Sequence, residues 1–374
     1  MFHRAAGQAD RVLPDTRGMN AFVFQASPVR VVFGAGALQQ LPAELDRLGL
    51  RRVLLLSTPG QAALAARVAA LLGARSAGVL AGAVMHVPID AVRRARAEAA
   101  RLGADGLVAI GGGSATGLAK AVALDAGLPI VAVPTTYAGS EMTSIHGITQ
   151  DGVKTTGRDA RVLPRTAVYD PELTLALPPA VSVTSSFNAM AHAAEALYAP
   201  DGNPIVALMA EEGLRACAAA LPRLLADPRD LAARADALYG AWLCGTVLGA
   251  AAMGLHHKLC HTLGGSFELP HAETHTVLLP HALAYNAAQA PQALSRIGRA
   301  LGLAPQADAP RALQDLARRC GAPLALREIG MPADGLDRAA DLAAASPYPN
   351  PRPLDRAALR ALLQRAWEGA APQA

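Results

Sequence analysis

Short apolar runs alternate with longer amphipathic segments over the first half of the chain. The apolar runs are bounded by glycine, proline or polar residues and predict β-strands at Val29–Phe33, Val53–Ser57, Ala77–Met85, Leu107–Ile110, Pro129–Val133 and Thr166–Tyr169. The segments between them have helical spacing: Leu38–Leu48, Gln61–Leu72, Asp90–Leu102, with Asp90 as a predicted N-cap, and Ala115–Asp125. Strands that alternate with helices predict a parallel sheet in an α/β fold.

The pattern changes after Leu177-Pro178-Pro179, where Ala- and Leu-rich helical segments dominate and strand patterns disappear. We therefore predict an α/β domain over residues 19–179 and an all-helical domain over residues 180–374. Residues 1–18 have no periodicity and are predicted to be a flexible extension, or to precede a true start at Met19.

Composition limits the classes of protein that remain. A chain of 374 residues that is 52% apolar and 17% charged can bury a core in each of two domains. Its net charge of +4 is scattered, which argues against a nucleic-acid surface. The longest uncharged apolar stretch, Tyr239–Leu255, is shorter than the roughly 20 residues that span a bilayer, so we expect a buried helix there.

Cysteine usage and the N-terminus bear on the compartment. The four cysteines form no CxxC pair, which argues against a disulfide or structural zinc framework. The polar N-terminus is not typical of a signal peptide. We therefore expect a cytoplasmic enzyme.

Lysine is scarce in this sequence. Only Lys120, Lys154 and Lys258 occur among 34 basic residues. Arginine cannot replace a compact ammonium group everywhere, so each lysine is a candidate for a chemical role. The alternative is that they are chance surface residues.

A glycine-rich turn follows one predicted strand. Leu107–Ile110 runs into Gly111, Gly112, Gly113 and Ser114 and then into a helix, which is the arrangement that binds a pyrophosphate. The next glycine is Gly117, so the spacing differs from the G-x-G-x-x-G fingerprint, and a plain tight turn remains an alternative.

A second polar loop follows the next strand. This segment, Pro134–Glu141, brings Thr135, Thr136 and Ser140 to the same edge of the predicted sheet. Because parallel sheets bind ligands beyond the carboxyl ends of their strands, the two loops together favour a nucleotide site.

Seven of the ten histidines lie between His192 and His281. Asn188 and His192 share one helix face at i and i+4, as do His257 and His261. Together with His271 they offer an amide oxygen and imidazoles, which is a metal site in outline. Since the amide of Asn188 is neutral, the same imidazoles and Lys258 could instead form a positive pocket for an anionic substrate.

These segments resemble the iron-containing alcohol dehydrogenase superfamily, which has a dehydroquinate synthase-like fold. The resemblance begins near Phe22 and rests on the glycine-rich turn, Pro134-Thr135-Thr136, Asn188–His192 and the histidines through His271. It implies that His192, His257 and His271 occupy metal-ligand positions and that His261 is the active-site histidine. It also implies cofactor contacts from residues of the two loops and a hairpin: Gly111, Gly112, Gly113, Ser114, Thr135, Thr136, Ser140 and Lys154.

Within that superfamily the chain is similar to the branch of maleylacetate reductases. Four stretches carry this likeness: Pro134–Thr149, Lys154–Leu173, Asn188–Pro200 and Gly254–Asn286. The metal-dependent relatives have Asp at the positions of Asn188 and Gly117. On this resemblance we expect no tightly bound metal.

The resemblance also implies a reaction, the reduction of the carbon–carbon double bond of maleylacetate by NADH or NADPH. The implied partners are a small dianionic substrate and a second copy of the chain. The predicted catalytic residues are Asn188, His192, His257, Lys258, His261 and His271. A metal-dependent alcohol or polyol dehydrogenase is the alternative enzyme, and a non-catalytic nucleotide- or metal-binding protein is a further one.

Overall fold

The computed structural model describes residues 21–151, 153–345 and 347–374. The predicted extension over residues 1–18 lies outside this part of the chain. A six-stranded sheet contains strands at β1 (Arg30–Phe33), β2 (Val53–Ser57), β3 (Ser76–Leu80), β4 (Gly106–Gly111), β5 (Ile130–Pro134) and β8 (Thr166–Tyr169). A separate antiparallel pair contains β6 (Ile145–Gln150) and β7 (Val153–Arg158).

The large sheet is parallel throughout and has the order β1-β8-β5-β4-β2-β3. Strands β4 and β5 are neighbours, and Gly111 stands opposite Pro134 in their register. The two loops that follow these strands therefore begin side by side, as the sequence predicted.

Helices of the first half lie between the strands: α1 (Leu41–Arg47), α2 (Ala62–Leu72), α3 (Ile89–Arg101) and α4 (Gly113–Ala126). The chain after β8 is helical: α5 (Pro179–Ala196), α6 (Pro204–Ala226), α7 (Leu231–Ala250), α8 (Leu255–Phe267), α9 (His271–Asn286), α10 (Pro291–Ala300), α11 (Ala309–Arg319), α12 (Leu336–Ala344) and α13 (Arg356–Glu368). This α/β half followed by a helical half is the predicted fold class.

The predicted strand Ala77–Met85 is too long, because β3 ends at Leu80. Beyond it the chain turns away from the sheet through His86 and Val87, whose φ angles are 63° and 52°. A Cβ at Gly117 would lie 2.8 Å from Cγ2 of Val87, so this turn explains why a small residue occupies position 117.

One further prediction needs correction, and one element was not predicted. Helix α3 begins at Ile89 with Pro88 at its N-cap, so Asp90 lies in the first turn and is not the cap. The β6–β7 pair was missed, because its side chains are mostly half-buried or exposed and give no apolar run.

The two halves share a hydrophobic core. Tyr137 and Tyr169 from the α/β half pack in one cluster with Phe187 and Met190 of α5. The second loop also contacts α7 closely, since a Cβ at Gly245 would lie 2.5 Å from the carbonyl oxygen of Gly139. This contact fixes the loop after β5 against the helical half.

No single helix in the described part of the chain is long and apolar enough to cross a bilayer. Helices α7 and α8 reach that length and composition only when taken together, and they are bent by 96° relative to each other.

Candidate active site

The two loops after β4 and β5 pack directly against each other. The backbone N–H of Thr135 donates to the carbonyl of Gly111 over 3.1 Å. A Cβ at Gly112 would lie 2.5 Å from Oγ1 of Thr136, whereas a Cβ at Gly113 would meet no atom within 4 Å. Gly112 therefore allows the loops to approach, and Gly113 faces open space at the N-terminus of α4, where an anion is favoured.

Lys120 joins the glycine-rich helix to the second loop. It is fully buried, and its Nζ donates to the carbonyl oxygens of Ser140 (2.6 Å) and Ile145 (2.8 Å) and to Oγ1 of Thr143 (2.9 Å). Burial lowers the pKa of Lys120 to about 7, although the nearby Glu141 carboxylate opposes this shift. Lys120 therefore holds the second loop against α4.

Three helices bring a cluster of histidines together beside these loops. Helix α5 contributes His192, α8 contributes His256, His257 and His261, and α9 contributes His271 and His275. Ring centroids are 4.9 Å apart for His192 and His257, and 4.4 Å apart for His271 and His275. Most of these rings are buried, while His261 is exposed and His271 is half-buried. The predicted clustering of Asn188, His192, His257, His261 and His271 is observed.

A chain of hydrogen bonds fixes the hydrogens of the two central rings. Nδ1 of His257 donates to Oε2 of Glu195 over 2.6 Å, so its Nε2 has a lone pair. That atom lies 2.8 Å from Nδ1 of His192, whose Nε2 lies 3.3 Å from the carbonyl oxygen of Ala138. When Nε2–H of His192 donates to that carbonyl, the lone pairs of His192 Nδ1 and His257 Nε2 face each other, and a cation shared by these two atoms would relieve the repulsion.

The charges around His192 and His257 favour binding of a metal ion over protonation of these rings. Burial lowers the pKa of His192 well below its usual value, and the nearby His257 and His271 lower it further. Burial would raise the pKa of Glu195, but its hydrogen bond with His257 and the surrounding donors hold it at about 2. A carboxylate that accepts from a ligand histidine is a common support of metal sites.

Asn188 completes a set of donors that fits a metal cation. Its Nδ2 donates to the Ala138 carbonyl over 3.4 Å, and its Oδ1 is buried with no hydrogen-bond partner in the described structure. An unpartnered buried oxygen beside neutral imidazoles is a suitable environment for a divalent ion. The residues that could hold it are Asn188, His192, His257 and His271.

Two predicted site residues, Lys258 and Lys154, have no described contact with this cluster. Lys258 is half-buried, and its Nζ lies 6.0 Å from the centre of the Tyr348 ring. Lys154 lies on β7, where its Cα pairs with that of Thr149. The roles of both lysines remain predictions.

Glu195 was not predicted from the sequence, although it is fully buried in the site. It accepts from the backbone N–H groups of Gly254 (3.0 Å) and His256 (2.8 Å) as well as from His257. The sequence could have identified Glu195, because it follows Asn188 and His192 at helical spacing on the same face of α5. A lone acid on that face of an alanine-rich helix indicates a partnered carboxylate.

Comparisons with known proteins agree with this geometry. The chain matches the family described as iron-containing alcohol dehydrogenase over residues 28–171, and the C-terminal part of the Fe-containing alcohol dehydrogenase family over residues 182–367. It is 65% identical to a maleylacetate reductase of Burkholderia cepacia over 95% of this chain and 100% of that protein.

Two solved structures are also similar. A maleylacetate reductase from Agrobacterium tumefaciens superposes with a TM-score of 0.90 at 54% identity, covering 95% of this chain and 100% of that one. An iron-containing alcohol dehydrogenase from Corynebacterium glutamicum superposes with a TM-score of 0.87 at 44% identity, covering 92% and 96%.

These matches correct one prediction. The expectation of no tightly bound metal is wrong, because the family that matches both halves of the chain is an iron-containing one. The expectation relied on the missing carboxylate at position 188. It took no account of the Glu195 carboxylate behind His257, which supplies the negative charge that the Asn188 amide lacks.

Proposed function

This chain belongs to the iron-containing alcohol dehydrogenase family, and we propose that within it the chain catalyses the maleylacetate reductase reaction. In this reaction a nicotinamide cofactor reduces the carbon–carbon double bond of maleylacetate and yields 3-oxoadipate. NADH and NADPH are both proposed as hydride donors.

One observation carries the proposal: the loop assigned to the cofactor also forms a wall of the histidine site. The carbonyl of Ala138 lies between Thr136 and Ser140 in the sequence of that loop, and it contacts both Asn188 and His192. A nicotinamide held by the loops and a substrate held by the histidines would therefore be neighbours, as hydride transfer requires.

The substrate chemistry assigns roles to these residues. Maleylacetate is a dianion whose alkene is conjugated to a ketone. Hydride adds to the alkene carbon β to the ketone, negative charge develops on the ketone oxygen, and a proton then reaches the adjacent carbon. Donors placed at the developing enolate oxygen lower the barrier. We assign His261 as the donor in this pocket and Lys258 to a substrate carboxylate. His257 also lines the pocket, but its Nε2 carries no hydrogen and is assigned to the cation.

The remaining residues shape and charge the pocket. His192 and His271 line it, and Asn188 presents a neutral amide where an aspartate would repel the dianion. A divalent cation held by Asn188, His192, His257 and His271 would supply Lewis acidity at the ketone oxygen. Glu195 keeps the hydrogen of His257 on Nδ1, so Nε2 faces the pocket.

The enzyme's compartment, oligomeric state and metabolic role are also proposed. We propose a cytoplasmic homodimer that acts in the breakdown of aromatic compounds, the setting that the resemblance to maleylacetate reductases implies. The four cysteines are free and buried, which is compatible with a reducing compartment.

The experiment is a comparison of two assays on the purified protein. NADH oxidation is followed with maleylacetate, and NAD reduction is followed with short primary alcohols and diols. The proposal predicts rapid turnover in the first assay and a kcat/KM at least a hundredfold lower in the second. The reverse ranking would establish an alcohol dehydrogenase instead.

A further inference from the structure

His275 occupies a position in the histidine site that no role above explains. It lies on α9, fully buried, and its ring centroid is 4.4 Å from that of His271, 5.0 Å from His257 and 5.9 Å from His192. These three rings belong to the proposed metal ligands. Its Nε2 is buried and has no hydrogen-bond partner in the described part of the chain.

His256 holds this ring in place from the opposite side. Nε2 of His256 lies 2.9 Å from Nδ1 of His275, and Sγ of Cys260 lies 3.6 Å from the same Nε2. Nδ1 of His256 is buried and has no hydrogen-bond partner in the described residues. His256 is itself buried, so this arrangement is shielded from water.

The two nitrogens of His275 differ in their surroundings. Its Nδ1 is occupied by the 2.9 Å contact with Nε2 of His256, so only its Nε2 is available to the other histidines. A metal on Nε2 requires the hydrogen of His275 on Nδ1, and Nδ1–H then donates to His256 Nε2. The remaining nitrogen of His275, its Nε2, then has a free lone pair among the other imidazoles.

The same logic operates on the other side of the site, where Glu195 accepts from Nδ1 of His257 and leaves Nε2 as the free nitrogen. A ligand histidine is usually oriented in this way by an acceptor on its second nitrogen. His256 would thus serve His275 as Glu195 serves His257.

We propose that His275 is a fourth imidazole ligand of the metal site and that His256 is its positioning residue. The neutral Asn188 amide is a weaker donor than a carboxylate, and the additional nitrogen compensates for it. A site with four imidazole nitrogens favours late first-row ions such as Co²⁺ and Zn²⁺ over hard cations. The inference shares its other ligands with the proposed function but does not depend on the substrate.

The test uses Co²⁺ as the probe on the full-length protein after its metal is removed with a chelator. Visible absorption of Co²⁺ gives the stoichiometry, and competition with a chromophoric chelator gives the Kd. We expect one Co²⁺ per chain, a Kd at least tenfold weaker for His275→Gln, and a Kd weaker by about 10–100-fold for His256→Gln. An unchanged Kd in His275→Gln would overturn the proposal.

Matched variants test whether the loss of Co²⁺ affinity is specific to His275. His281 is a buried histidine on the same helix, so His281→Gln should leave the Kd within twofold of wild type. Adding Asn188→Asp to His275→Gln should recover most of the lost affinity. The atoms of His256, Cys260 and His275 could also hold an ion by themselves, since they lie within 4.8 Å of one another. A thiolate-to-Co²⁺ band that Cys260→Ser removes would establish that site and contradict ours.

A measurement on the wild-type protein removes any dependence on the folding of the variants. X-ray absorption at the cobalt edge counts coordinated imidazoles, and we expect four, whereas three would contradict the proposal. These readouts need no substrate. A wild-type protein that binds Co²⁺ as expected but does not reduce maleylacetate would refute the proposed function and leave this inference intact.

Discussion

Glu195 accepts a 2.6 Å hydrogen bond from Nδ1 of His257, and both side chains are buried between α5 and α8. The same carboxylate also accepts from the backbone at the start of α8. It therefore connects the stability of the helical half to the orientation of a site histidine.

Replacing Glu195 with Gln should affect both stability and metal binding. The amide NH₂ would face backbone or imidazole N–H donors, so we expect the free energy of unfolding to fall by roughly 3 kcal/mol. Metal affinity should fall by about 10–100-fold, because His257 loses its charged acceptor. Urea denaturation and chelator competition measure the two effects. Glu368→Gln, a change at an exposed position, is the control. If both variants had the same unfolding free energy and metal affinity, Glu195 would have no special role in stability or metal binding.

The two loop glycines should respond differently to alanine. In Gly112→Ala the new Cβ would meet the β-branched side chain of Thr136 at 2.5 Å, so we expect a loss of about 1–3 kcal/mol of stability. In Gly113→Ala the Cβ enters open space, so stability should be unchanged or slightly higher, while NADH binding weakens. Urea denaturation and NADH fluorescence titration separate the two. Wild-type NADH affinity in Gly113→Ala would show that this turn does not face the cofactor.

Lys120 should make stability depend on pH in the alkaline range. Burial lowers its pKa to about 7 in the folded protein, below its ordinary value of 10.5, so the unfolded chain binds more protons between these values. The unfolding free energy contributed by this group should therefore rise as the pH increases from 7 towards 10. The difference between wild type and Lys120→Met, measured by urea denaturation across that range, isolates the effect. A difference that stays constant would mean that the folded lysine keeps its proton.

The cofactor preference should be weak. No carboxylate follows β2, where the turn is Thr58-Pro59-Gly60, so nothing in that turn repels a 2′-phosphate. We expect the kcat/KM values for NADH and NADPH to differ by less than about a hundredfold, or about 2.7 kcal/mol. Steady-state kinetics with each cofactor measure this, and a larger ratio would indicate a selective group elsewhere.

The sequence predicted those parts of the fold that are buried on both faces. Strands β2 and β8 have the predicted bounds, because a parallel strand between two layers is a short apolar run ended by turn residues. The β6–β7 pair lies outside that core, so it has no such run. Its sequence signal was the Asp151-Gly152 pair, which is typical of a tight hairpin.

The candidate site was predicted only in part. Helical spacing placed Asn188 with His192 and His257 with His261, because those pairs share one face of one helix. The partnership of Glu195 with His257 joins two helices, and local spacing cannot predict such a contact. The metal was misjudged for the same reason, because the negative charge at the candidate site comes from Glu195, which contacts His257 from another helix, whereas Asn188 offers only a neutral amide oxygen.

The position of the transferred hydride tests the central claim most directly. The protein is incubated with maleylacetate and NADH labelled with deuterium at C4 of the nicotinamide, on the face that it transfers, and the product is examined by NMR. Conjugate reduction predicts 3-oxoadipate with one deuterium on the former alkene carbon β to the ketone. Deuterium on a carbinol carbon, or no transfer to maleylacetate, would contradict the account.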